Sequence, residues 1–99
     1  MTISKKMENK KITFTLDGML DTITVPQLQE ILIPAFDEAN HVELDFSKVT
    51  YISSAGLRVL LTGHKTSVSK EASMTLSGVS QGIMEIIKMT GFDKILKIV

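Results

Sequence analysis

From Lys11 to Leu16 apolar and polar residues alternate, with Ile12, Phe14 and Leu16 on one side and Thr13 and Thr15 on the other, the period of a half-buried strand. Asp17-Gly18 follows with the chemistry of a tight turn and Met19-Leu20 reads as a short return, so a β-hairpin is predicted to open the fold. The spacing then changes. Val25, Leu28, Leu32, Ala35, Phe36 and Ala39 recur at three and four, which predicts a helix over 25–39. Thr24 is its expected cap, and Pro26 sits in the first turn, where a missing N–H costs nothing. Pro34 removes the bond to the Glu30 carbonyl and is expected to kink the helix or end it early.

Period two returns at His41 to Phe46 and closes at Ser47-Lys48. Leu57, Leu60, Leu61, His64 and Val68 form a second helical stripe, weakened by Gly63, which costs about 1 kcal/mol relative to alanine. Ala72 to Leu76 supplies another short strand. Gln81 to Thr90 reads as a third helix with Ser80 as N-cap, Gly91 as a left-handed terminator, and Ile83, Met84, Ile87 and Met89 available for burial. Lys94 to Val99 is apolar enough for a last strand. The order β-β-α-β-α-β-α-β predicts an α/β fold: a mixed sheet of four to five strands, right-handed crossovers, and helices packed mainly on one face.

The chain has 99 residues, the size of one domain, and no internal repeat or linker divides it; residues 1–10 are left as a solvated arm or an edge strand. Eleven basic and eleven acidic residues cancel, which removes the overall field that draws in nucleic acid or an anionic membrane, and five aromatics leave little for stacking bases. Without cysteine there is no disulfide, thiolate metal site or cysteine nucleophile. No apolar run approaches the ~20 residues of a membrane span and the first residues lack the apolar core of a secretory leader, so a cytoplasmic location is expected.

Candidate chemistry concentrates at Ser53-Ser54-Ala55-Gly56, where a strand gives way to a helix. In α/β units such junctions line up at the carboxyl end of the sheet, where ligands and partners meet the fold. A serine there caps the helix or accepts a phosphate beside the unsatisfied N–H groups of the first turn; local chemistry leaves both roles open. Enzyme constellations are missing. Ser54 and His64 lie ten positions apart, about 15 Å along a helix, too far to form a nucleophile and base. His64 falls on the apolar stripe as a packed or boundary residue and His41 looks like surface. No Gly-x-Ser-x-Gly elbow, phosphate-cradling Gly-x-x-x-x-Gly-Lys loop or metal-spaced pair of histidines occurs, so no catalytic residue, metal or cofactor is expected.

Four motifs stand in order along the chain: Gly18-Met19-Leu20-Asp21 after a strand, Asp45-Phe46-Ser47, Tyr51-Ile52-Ser53-Ser54-Ala55-Gly56-Leu57-Arg58, and Met89-Thr90-Gly91-Phe92 before Ile95. In this register, from about Ile12 to Ile98, the chain resembles the STAS domains of sulphate transporters and anti-sigma factor antagonists, above all the small stand-alone bacterial antagonists. The resemblance implies partner switching: the unphosphorylated antagonist binds an anti-sigma factor that is also a serine kinase and frees a sigma factor, and phosphorylation releases it. Matched position by position, Ser54 is the phosphoacceptor, and the partner-binding face holds Asp21, Thr22, Ser53, Ser54, Ala55, Gly56 and Arg58. A phosphoserine phosphatase is implied for the return step, and a monomer entering a transient heterocomplex is expected. Two positions depart from the pattern, Ser53 where many antagonists carry Asp and Met19 where an acidic residue is frequent; Met19 either sits in the partner interface or packs locally, and packing is the favoured reading. The alternative reading is an unphosphorylated STAS scaffold or ligand-sensing module that binds a protein partner.

Overall fold

The computed structural model describes every residue from Met1 to Val99. Its elements run β1 (Thr2–Glu8), β2 (Lys11–Leu20), α1 (Val25–Glu38), β3 (His41–Ile52), α2 (Ser54–Ser69), β4 (Ser73–Ser77), α3 (Gln81–Thr90) and β5 (Lys97–Ile98), with one turn of 3-10 helix at Phe92–Lys94. The five strands stand in sheet order β1-β2-β3-β4-β5, antiparallel for the first pair and parallel for the rest. Each parallel crossover steps the same way across the sheet, and right-handed crossovers in one direction put their helices on one face. The core agrees: Ile12, Phe14 and Leu16 of β2, Val42, Leu44 and Phe46 of β3, Leu28 and Leu32 of α1, Leu57 and Leu60 of α2, and Ile83 and Ile87 of α3 belong to a single buried cluster. The other face is polar, with His41, Glu43 and Asp45 half-buried along β3.

The opening hairpin is displaced from its expected turn. The chain reverses at Asn9-Lys10, both at positive φ (50° and 62°), and of the two readings left for the charged N-terminal stretch, arm or edge strand, it forms the edge strand β1. Asp17-Gly18 does not turn; β2 runs through it to Leu20, with Gly18 at φ 119°. β3 likewise continues past Ser47-Lys48 to Ile52, because Val49 and Ile52 still have a core to enter. Both corrections have one cause. Thr15 pairs with Asp45 but Asp17 with Lys48, and Gly18 with Val49 but Met19 with Tyr51, so β3 accommodates two extra residues as bulges where sequence alternation breaks.

Three helix expectations also change. Pro34 neither ends nor shortens α1, which continues to Glu38 with the proline on its exposed side, where water can satisfy the Glu30 carbonyl. Thr24 has helical backbone angles and makes no side-chain cap. In α2 the buried side is Gly56, Leu57, Val59, Leu60, Gly63 and Ser67, while Val68 is 64% exposed; Met89 of α3 is 86% exposed. Gly63 is there for packing, since a Cβ would lie 2.8 Å from Leu32 Cδ2 and 3.0 Å from Met74 Sδ. α3 keeps its expected bounds, with the Ser80 hydroxyl accepting from the Ile83 amide and Gly91 at φ 78°. The final strand is shorter than read, and Leu96 supplies its burial.

Candidate functional site

β2 and β3 are parallel neighbours and end in register, Leu20 beside Ile52. The loop into α1 and the first turn of α2 therefore leave the sheet side by side. The Ser53 amide donates to the Leu20 carbonyl at 2.9 Å, which fastens the start of α2 to the end of β2. Gly56 makes the approach feasible: a Cβ there would meet Ile52 Cγ1 at 2.8 Å, the Leu20 carbonyl oxygen at 2.9 Å and Leu20 Cγ at 3.0 Å. Glycine at this position is a steric requirement of the helix–strand contact.

The two serines divide the work. Ser53 is half-buried, has extended backbone, and its hydroxyl accepts from the Gly56 amide at 3.2 Å, a side-chain N-cap. Ser54 is the first helical residue, is exposed, and its hydroxyl makes no hydrogen bond within the chain. The first turn of α2 holds no acidic residue, and Ala55 is half-buried beside Arg58 in a shallow groove of about 300 Å³ that Val25, Gln29, Val59 and Thr62 also line. Arg58 is exposed and takes part in none of the ion pairs of the molecule.

Across from α2, Asp21 organises the entry to α1. Its carboxylate accepts from the amides of Ile23 and Thr24, each at 3.0 Å, while its own amide donates to the Thr24 hydroxyl at 2.9 Å. That hydroxyl spends its proton on the Met19 carbonyl at 2.8 Å. The Thr24 amide, helped by the Ile23 amide and opposed by desolvation, holds the Asp21 carboxyl below its ordinary value of 3.8. Asp21 thus shapes the loop, and Thr22 and Ile23 are displayed on it, Ile23 87% exposed.

Sequence reasoning missed an apolar rim at this end of the sheet. Met19, expected to pack locally, is half-exposed and pairs in register with the equally exposed Tyr51; Ile23 adds a third apolar side chain on the adjoining loop. The available signal was that Ile23 and Tyr51 fall outside every buried periodicity. His64 and Ser54 are not brought together, being ten residues apart on one helix. His41, expected at the surface, is half-buried: its Nδ1 lies 2.6 Å from Ser73 Oγ and its Nε2 3.2 Å from Thr75 Oγ1, because β4 places both hydroxyls opposite the start of β3. No group of three or more potential metal ligands is present.

A family model described as STAS domain matches residues 3–99. An anti-sigma-B factor antagonist of Staphylococcus epidermidis is 30% identical over 82 residues, covering 82% of this chain and 76% of that one. Its counterpart in Bacillus subtilis strain 168 is 24% identical over 98 residues, covering 99% and 90%. Among solved structures, an anti-sigma factor antagonist from Mycobacterium paratuberculosis superposes with a TM-score of 0.87 at 21% identity, covering 98% of this chain and 83% of its own. The Bacillus cell fate determinant SpoIIAA in its phosphorylated form does so with a TM-score of 0.78 at 15% identity, covering 99% and 91%. Matched from its first strand to its last, the chain belongs to the STAS domain family.

Proposed function

We propose that this chain is an anti-sigma factor antagonist that works by partner switching. Unphosphorylated, it binds an anti-sigma factor with serine kinase activity through the rim formed by Asp21, Thr22, Ser53, Ser54, Ala55, Gly56 and Arg58, together with Met19, Ile23 and Tyr51, and the sigma factor is set free. The kinase then uses its own ATP: the Ser54 oxygen attacks the γ-phosphorus, the bond to the ADP oxygen breaks, and the hydroxyl proton passes to a base on the kinase. The phosphate brings about −1.5 to −2 charges to a face that had been packed against the partner, and the complex separates. A phosphoserine phosphatase restores the hydroxyl. The chain supplies no catalytic group and holds no cofactor in this cycle, touches no nucleic acid, and acts in the cytoplasm as a monomer between complexes. No helix is long and apolar enough to cross a membrane.

The observation that supports this reading best is the freedom of the Ser54 hydroxyl, exposed and unbonded beside a serine that has taken over the capping role. A phosphate on Ser54 leaves the cap intact and places its charge at the positive end of α2. The test is capture of the tagged chain's kinase with and without ATP. Wild type is expected to release the kinase on ATP addition, Ser54→Ala to hold it, and Ser54→Asp to bind weakly from the start. Equal retention of all three under ATP would refute the assignment.

A further inference from the structure

Phosphorylation at Ser54 has a second consequence written in α2. The helix contains Arg58, His64 and Lys65 but no Asp or Glu, so Arg58 has no carboxylate one turn away on its own element. Its guanidinium also has no ion-pair partner elsewhere, and the groove it lines with α1 presents Val25 and Gln29 rather than an acid. Ser54 and Arg58 are four positions apart, which sets their Cβ atoms about 5–6 Å from each other on one face. Helical side chains lean toward the N-terminus, so the arginine stem extends over the turn that bears Ser54. The order is also the favourable one, with the anion N-terminal to the cation. Lys65 lies eleven positions from Ser54, about 16 Å, and does not reach.

We propose that Arg58 captures the phosphate of phosphorylated Ser54 within the same chain, with two guanidinium N–H groups donating to two phosphate oxygens. This rests on the reading of Ser54 as the phosphoacceptor. The switch then acts twice: the dianion appears on the partner face, and the cation which that face offered to an acidic partner group is withdrawn into an internal pair. Arginine is suited to this because its fork matches two phosphate oxygens, whereas lysine offers a point charge.

The test separates the pair from the kinase. Phosphoserine is installed at position 54 during translation, and its second ionisation, ordinarily near pH 6, is followed by phosphorus NMR on the full chain. Wild type is expected to titrate about 0.3 pH unit below Arg58→Gln, the size fitting an exposed pair of this spacing, with Arg58→Lys between them. Circular dichroism confirms that each variant is folded, as loss of an exposed, unpaired side chain allows. Identical titrations of wild type and Arg58→Gln would overturn the proposal. Because no kinase enters this experiment, a kinase that ignores Ser54 would refute the reading above without altering this result.

Discussion

At the residue scale the site depends on two adjacent serines with opposite tasks. The sequence showed that a hydroxyl belonged at the start of α2 but left open which serine capped and which stood free; that distinction is a matter of backbone angles, which residue types do not encode. Ser53→Ala removes a side-chain cap and is expected to destabilise the chain by about 1 kcal/mol, a fall in Tm of several degrees for a domain of this size. Ser54→Ala removes a hydroxyl bonded to nothing in the chain and is expected to stay within about 0.5 kcal/mol of wild type. Thermal melts of the two variants test the division, and reversed sizes would exchange the roles. Asp21 was legible as a loop residue, whereas the exposure of Met19 was not, because its surroundings depend on where β2 ends.

At the scale of elements, α2 contains two glycines that the sequence presents alike and the fold uses differently. Beside Gly56 stands the Leu20 carbonyl, part of a strand that cannot move aside; beside Gly63 stand the ends of the Leu32 and Met74 side chains, which can turn. Gly56→Ala is therefore expected to destabilise by about 1–3 kcal/mol despite a gain in helix propensity, and Gly63→Ala to fall within about 1 kcal/mol of wild type. Denaturant titrations of the two variants distinguish the cases. Strand alternation and helix periodicity revealed the elements from Lys11 onward in order, but not β1, and the opening turn was placed inside β2. Asp-Gly is stronger turn chemistry than Asn-Lys, and only the pairing of β2 with β3 over its full length overrides it.

The start of β3 adds a pH dependence. Burial, with help from Lys11 and Lys97 and opposed by Glu43, holds the His41 pKa below its ordinary 6.5. A depressed folded value means that the unfolded chain takes up this proton first on acidification. The stabilising contribution is complete above about 6.5 and is lost as pH falls through the folded value. Stability measured from pH 8 downward is expected to begin declining near 6.5, and His41→Gln to flatten that part of the curve; an unchanged curve in the variant would exclude His41 as the source.

Across the whole molecule, parallel strands gather their carboxyl ends at one edge of the sheet, and both the Asp21 loop and the first turn of α2 emerge there. Balanced charge elsewhere would let the proposed phosphate, about two charges at this end, act on a partner without unbalancing the fold. Ser54→Asp is accordingly expected to keep its Tm within a few degrees of wild type while losing partner affinity, since a carboxylate at the first helical position meets the favourable end of the helix dipole. The architecture could be read from element order because consecutive right-handed crossovers allow few arrangements. The apolar rim was legible only in Ile23 and Tyr51, which fall outside the buried periodicities; the pairing of Met19 with Tyr51 follows bulges that alternation gave no reason to place.

The most direct measurement is site mapping by tandem mass spectrometry after the chain is incubated with ATP and the anti-sigma kinase proposed as its partner. One added phosphate is expected, on Ser54, appearing as the complex dissociates. Phosphate on Ser53 alone, or dissociation with Ser54 unmodified, would contradict it.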